Sequence, residues 1–237
     1  MKRAIFTLSV VAVLGLMGST AIAGTVTVVK NNGTTQTTNS LTGFATTGAM
    51  MDGMSVTVVF ADGSSSSKSW TDIDSDSGGV SGTDWGLRED GDTFIGTWTL
   101  TNSTTDTDKY IDKILIDAGA GNSVFDIDHT SSTAGSANGY TFAEIGSSSF
   151  NVTATYLDVV ALTGDTAVGD LYRRLTIDFT SADFGASGST ATYKFRADTD
   201  NLKFAGDINP VPLPAAAWLG LGMLGALGLT RRIRRKK

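Results

Sequence analysis

Between residues 24 and 207, apolar side chains recur at alternate positions, separated by Gly, Ser, Thr and Asp, and helix-period stretches are scarce. Alternation with a period of two places one set of side chains on a single face of a strand, so it predicts half-buried β-structure. Residues 25–29 form a first expected strand. Met-Ser-Val-Thr-Val-Val-Phe-Ala at 54–61 forms a second, closed by the turn pair Asp62-Gly63. A third is expected over 93–101, with Phe94, Trp98 and Leu100 on one face. Residues 110–116 follow, with Ile111, Lys113 and Leu115 set against Asp112, Ile114 and Ile116. The longest expected strand covers 150–162, either as two strands or as one bent strand, and further strands are expected over 171–179 and 191–197. The stretch 118–139 reads as a Gly/Ser-rich interval, and 201–210 as a polar link. Eight or more short strands joined by glycine-rich turns predict an all-β fold, an antiparallel β-sandwich of jelly-roll or Greek-key type. No repeat of fixed period points to a solenoid or propeller.

The two ends break this pattern. Lys2 and Arg3 precede an apolar run over 4–17, and Ala21-Ile22-Ala23 supplies small residues two apart, so residues 1–23 read as a secretory signal peptide cleaved before Gly24. At the other end, 215–229 carries no charge; extended to 211–230 it makes 20 residues, about 30 Å of helix at 1.5 Å per residue, which just spans a bilayer. Arg231, Arg232, Arg234, Arg235, Lys236 and Lys237 follow directly. Such a basic cluster stays on the cytoplasmic side and acts as a stop, so everything before Pro210 is expected outside. Trp218 falls at the interfacial end of the apolar run, where tryptophan favours residence.

Val211-Pro212-Leu213-Pro214-Ala215, the apolar run and the basic tail together resemble the PEP-CTERM protein-sorting signal in its VPLPA variant. Leu213 stands where the commoner form has Glu. The resemblance covers about 25 residues, and it implies a precursor held in the inner membrane with a periplasmic ectodomain. A membrane-embedded exosortase would then cleave near the proline motif and pass the protein to the cell surface or to an extracellular polysaccharide matrix. The resulting boundaries are signal peptide 1–23, exported β-domain 24–207 and sorting signal 208–237. In the middle of the chain, 70–73, 82–87, 91–94, 116–119 and 124–126 are similar to stretches in proteins that carry the same signal and have no assigned activity. That likeness implies a shared β-fold and surface role, and it transfers no catalytic residue.

Charge sharpens the picture. The exported region holds all 24 acidic residues and ten of the 18 basic ones, a net charge of −14 that the whole-chain value of −6 conceals. Such a surface repels nucleic acid and attracts cations, so nucleic acid is not an expected partner. The chain has no cysteine. Disulfide staples, thiol catalysis and cysteine-ligated metal are therefore excluded.

Candidate chemistry is sparse. Asp72, Asp74 and Asp76 alternate ahead of a Gly pair and could together point hard oxygens at Ca²⁺, although Ser77 and Thr83 stand where an EF-hand needs Gly and Glu. The plainer reading is a solvated acidic turn. Asp126 with Asp128, and Asp106 with Asp108, are weaker pairs of the same kind. Trp70 and Trp85 flank the acidic loop and could stack on sugar rings, against the commoner fate of core packing; Trp98 reads as core. His129 is the one histidine, and no Gly-x-Ser-x-Gly elbow accompanies it. Glu89 and Glu144 are the only glutamates. The expectation is a non-enzymatic exported surface or matrix protein with an exosortase-type enzyme as partner. A calcium-assisted carbohydrate-binding module is the alternative, and a secreted polysaccharide hydrolase with an unrecognised carboxylate pair the third.

Overall fold

The computed structural model describes residues 24–43, 45–106, 109–128, 139–146, 148–179, 184–185, 190–202 and 209–210. Ala21, Ala23, His129, Asp108, the motif from Val211 to Ala215 and the basic tail lie outside the described residues. Within them the chain is almost wholly β, with two short 3-10 turns, Gly48–Met51 and Ala118–Gly121, as the only helical elements. No helix among the described residues is long and apolar enough to cross a membrane.

The strands expected from alternation form where both faces find partners. They are β1 (Val26–Asn31), β4 (Ser55–Phe60), β9 (Thr97–Asn102), β10 (Ile111–Asp117), β13 (Val152–Leu162), β14 (Leu171–Phe179) and β15 (Ala191–Arg196). Ten more complete the set: β2 (Gln36–Thr38), β3 (Leu41–Gly43), β5 (Ser65–Ser69), β6 (Thr71–Asp72), β7 (Ser77–Ser81), β8 (Trp85–Asp90), β11 (Ser123–Asp126), β12 (Ala143–Glu144), β16 (Asp198–Leu202) and β17 (Asn209–Pro210). The turn at Asp62-Gly63 is as expected. Gly63 takes a positive φ of 80°, and Asp62 Oδ1 accepts the Ser64 N–H at 2.8 Å.

Two sheets result. The larger runs β17-β2-β13-β14-β10-β4-β5, with β1 also beside β13, β11 joining β14 to β16, and β16 pairing β3. The smaller runs β12-β15-β9-β8-β7-β6. Pairing is antiparallel except where β13 receives β1 and β2 in parallel, one after the other along the same edge. β13 is a single strand bent between those two partners at Asp158, whose φ is +61°.

One core joins the sheets. Trp98 from the smaller sheet meets Phe125 of the larger at 6.4 Å between ring centroids, and Phe179 of the larger meets Tyr193 of the smaller edge-on at 5.3 Å. Trp98 also packs on Trp70 and Phe195, and its Nε1 donates to the carbonyl of Ala197 at 2.9 Å, where the chain steps from β15 in one sheet to β16 in the other.

Four expectations change in detail. The strand expected over 93–101 begins only at Thr97, because residues 92–96 make a turn in which Ile95 and Gly96 donate to the Asp92 carbonyl, and Phe94 packs edge-on against Tyr140. In β10 a register shift between Ile111 and Lys113 brings Ile111 onto the buried side with Ile114 and Ile116. The interval 118–139 contains β11, and the polar link 201–210 contains the end of β16 and all of β17.

Candidate functional site

Asp72, Asp74 and Asp76 are exposed at the β6–β7 turn. Asp74 Oδ1 accepts the N–H groups of Asp76 and Ser77 at 3.0 and 2.8 Å, and hydrogen bonds led by Ser77 hold its carboxyl below the ordinary carboxylate range. Arg88 lies 3.7 Å from Asp74. The aspartate folds its own turn, as short acidic side chains do.

Trp70 and Trp85 do not form the sugar-stacking face that their position beside the acidic loop allowed. Trp70 is fully buried and Trp85 is 4% exposed, so neither ring presents a face to a sugar. Trp70 Nε1 donates to the Gly48 carbonyl at 2.8 Å, which ties the junction of β5 and β6 to the Gly48–Met51 turn. Core packing won because both side chains point inward, Trp70 just before β6 and Trp85 as the first residue of β8.

The structure instead gathers carboxylates that sequence spacing leaves apart. β11 and β16 pair antiparallel with Asp126 opposite Asp198 and Val124 opposite Asp200. Residues i and i+2 of a strand share a face, so Asp198 and Asp200 project on the same side as Asp126. All three are buried, and one carboxylate oxygen from each lies within 4.8 Å of the others. Asp198 Oδ1 accepts Thr93 Oγ1 and the Thr199 N–H, both at 2.9 Å. Asp126 Oδ1 accepts the Asp128 N–H at 3.2 Å. Burial, with further push from Asp200 and Asp126, raises the Asp198 carboxyl to about 8. Three like charges at this range cannot all stay ionised in a low dielectric, and shared protons or a hard oxygen-seeking cation are the two chemistries that neutralise them. Among the described residues this is the one set of three or more metal-ligating side chains so gathered.

A second buried carboxyl is Glu89, the third inward position of β8 after Trp85 and Leu87. It is fully buried, and neither carboxyl oxygen makes a well-formed hydrogen bond, although the Gly48 and Asp90 backbone N–H groups lie near enough to offset part of the burial cost. Gly48 and Gly96 close over it so tightly that a Cβ on either would come within 2.7 and 2.2 Å of its oxygens. Burial first, then the charges of Asp90 and Asp92, push its carboxyl up to about 8. The turn over residues 91–96 links both features, since Thr93 bonds Asp198 while Gly96 covers Glu89.

Of the residues singled out in the sequence, Asp126 alone joins this group. Its partners lie more than 70 positions away, and nothing in the local pattern of Asp198-Thr-Asp200 sets it apart from other acidic turns. The remaining signal was Glu89 itself, a charge at an inward position of an otherwise apolar alternation. Comparisons with protein-family models, with curated proteins and with solved structures return no match for this chain.

Proposed function

We propose that this chain is a non-enzymatic exported protein, placed at the cell surface or in extracellular polysaccharide by its C-terminal signal. The observation that carries the reading is the order of segments along the chain: a cleavable leader, an acidic β-domain, a Pro-Leu-Pro motif, an uncharged run and a basic stop. The fold supports it in two ways. Two sheets over a shared aromatic core form a sandwich that needs no disulfide, in keeping with an exported chain that has no cysteine. The last described strand, β17, pairs with β2 and ends at Pro210, so the ordered domain closes immediately before Val211, where the proposed sorting motif begins in the sequence.

On this reading a transmembrane helix over the 211–230 run detains the precursor, an exosortase-type enzyme releases it, and the β-domain, of jelly-roll or Greek-key type, faces outward. Its net charge draws divalent cations to the surface. Replacing Pro212 and Pro214 by alanine tests this. The doubly substituted chain is expected to accumulate at full length in the inner membrane, and processing at the wild-type rate would overturn motif-directed sorting.

A further inference from the structure

The outer face of the smaller sheet carries a groove of about 600 Å³ whose composition differs from the rest of the domain. Register places Thr71, Gly79, Arg88, Thr99 and Lys194 in one row across five strands, with Ser81, Gly86, Thr101 and Thr192 in the next. Gly79 and Gly86 have no side chain to fill the centre, which opens the floor. Ile73, 54% exposed, leans over Gly79 from one end. Threonine hydroxyls line the far wall.

Arg88 and Lys194 both face this groove, with Asp90 as the one carboxylate lining it and Asp74 beside Arg88 at its edge, so the patch is close to neutral within a region of net charge −14. Arg88 is held by Ser77 Oγ at 3.1 Å and lies 3.7 and 3.8 Å from the exposed Asp74 and Asp90, loose contacts that leave it available. Lys194 makes no ion pair among the described residues. Neighbouring strands lie about 4.8 Å apart, so the two cations are separated by roughly 10 Å along the row.

We infer that this groove binds a linear acidic polysaccharide, laid across the strands with its carboxylates at Arg88 and Lys194 and its hydroxyls against the threonines. A polyol suits a wall of hydroxyls over a floor of backbone, and carboxylates spaced along sugar rings suit two separated cations. Nucleic acid fits poorly. Its charge repeats about every 1.7 Å along the duplex, far denser than two cations roughly 10 Å apart can answer, and no aromatic side chain lines the groove to stack a base. The inference deepens the matrix reading by naming the polymer class. It rests on that reading only for where the polymer is met, so failed binding and failed sorting are separate results.

The test uses the purified full-length chain in detergent, run in native gels containing polygalacturonate, dextran or polyglutamate at low salt. Polygalacturonate is expected to retard the protein, and the other two polymers are not. Lys194→Glu, at an exposed position, is expected to weaken the retardation about tenfold, and Lys30→Glu on β1 to leave it unchanged. Absence of retardation by polygalacturonate, equal retardation by dextran or polyglutamate, or an unaltered Lys194→Glu variant would each overturn the assignment.

Discussion

Glu89 is an acid placed where a hydrophobe would be expected, and its environment decides its protonation. In the unfolded chain its carboxyl ionises near 4.5, whereas in the fold burial and the neighbouring Asp90 and Asp92 hold the proton to about 8. Below pH 4.5 both states are protonated and the fold keeps the full benefit of this contact. As pH rises toward 8 the unfolded carboxyl releases its proton first, so the fold loses stability across that window, by about 1.4 kcal/mol per unit of separation. Glu89→Gln removes the ionisation with little change of shape. The variant is expected to match the wild type at pH 4 and to exceed it by about 2–4 kcal/mol at pH 9 in urea denaturation. Parallel stability curves across that range would show that Glu89 ionises normally. At the core, Trp98 touches both sheets and holds the Ala197 crossover. Trp98→Ala is expected to cost about 3–5 kcal/mol, read from the same denaturation curves.

At the scale of elements, β13 organises the larger sheet, since β14 runs along one edge and β1 and β2 share the other. The handover occurs at Asp158, which adopts a left-handed conformation and pairs with Arg174 of the adjacent strand. Aspartate tolerates that conformation and a β-branched residue does not. Asp158→Val is therefore expected to destabilise the fold by about 2–3 kcal/mol, against under 1 kcal/mol for Asp158→Asn, with thermal melting as the check. A smaller loss for valine than for asparagine would contradict the account of the bend.

Alternation made β4, β13, β14 and β15 legible because each has one buried and one less buried face. It failed where composition hides the period. β5 is polar on both faces, serine on one and serine with lysine on the other, and is held to β4 by the Gly63 turn, with Thr57 and Ser67 hydroxyls 2.7 Å apart. β7 is Ser-Gly-Gly-Val-Ser, four of its five residues buried without a bulky side chain. β8 alternates Trp85, Leu87, Glu89 inward, and a charge at the third position conceals the strand. The carboxylate group was illegible for another reason, since a pairing of β11 with β16 across more than 70 residues cannot be read from either segment alone.

The whole molecule is an acidic β-fold between two apolar segments of sequence, and on the proposed reading the direction of export follows from charge placement along the chain. Six basic residues at the C-terminal end follow a region of net charge −14 in the sequence, so the sign of the chain reverses across the uncharged run. Deleting Arg231 to Lys237 is expected to reduce retention of the precursor in the inner membrane, measured by fractionation, and unchanged retention would leave the basic tail without a role. Mass determination of both ends of the protein recovered from outside the cell tests the central claim most directly. Export and processing predict a chain that begins at Gly24 and has lost the uncharged run and the basic tail. A chain with Met1 and Lys237 both in place would contradict it.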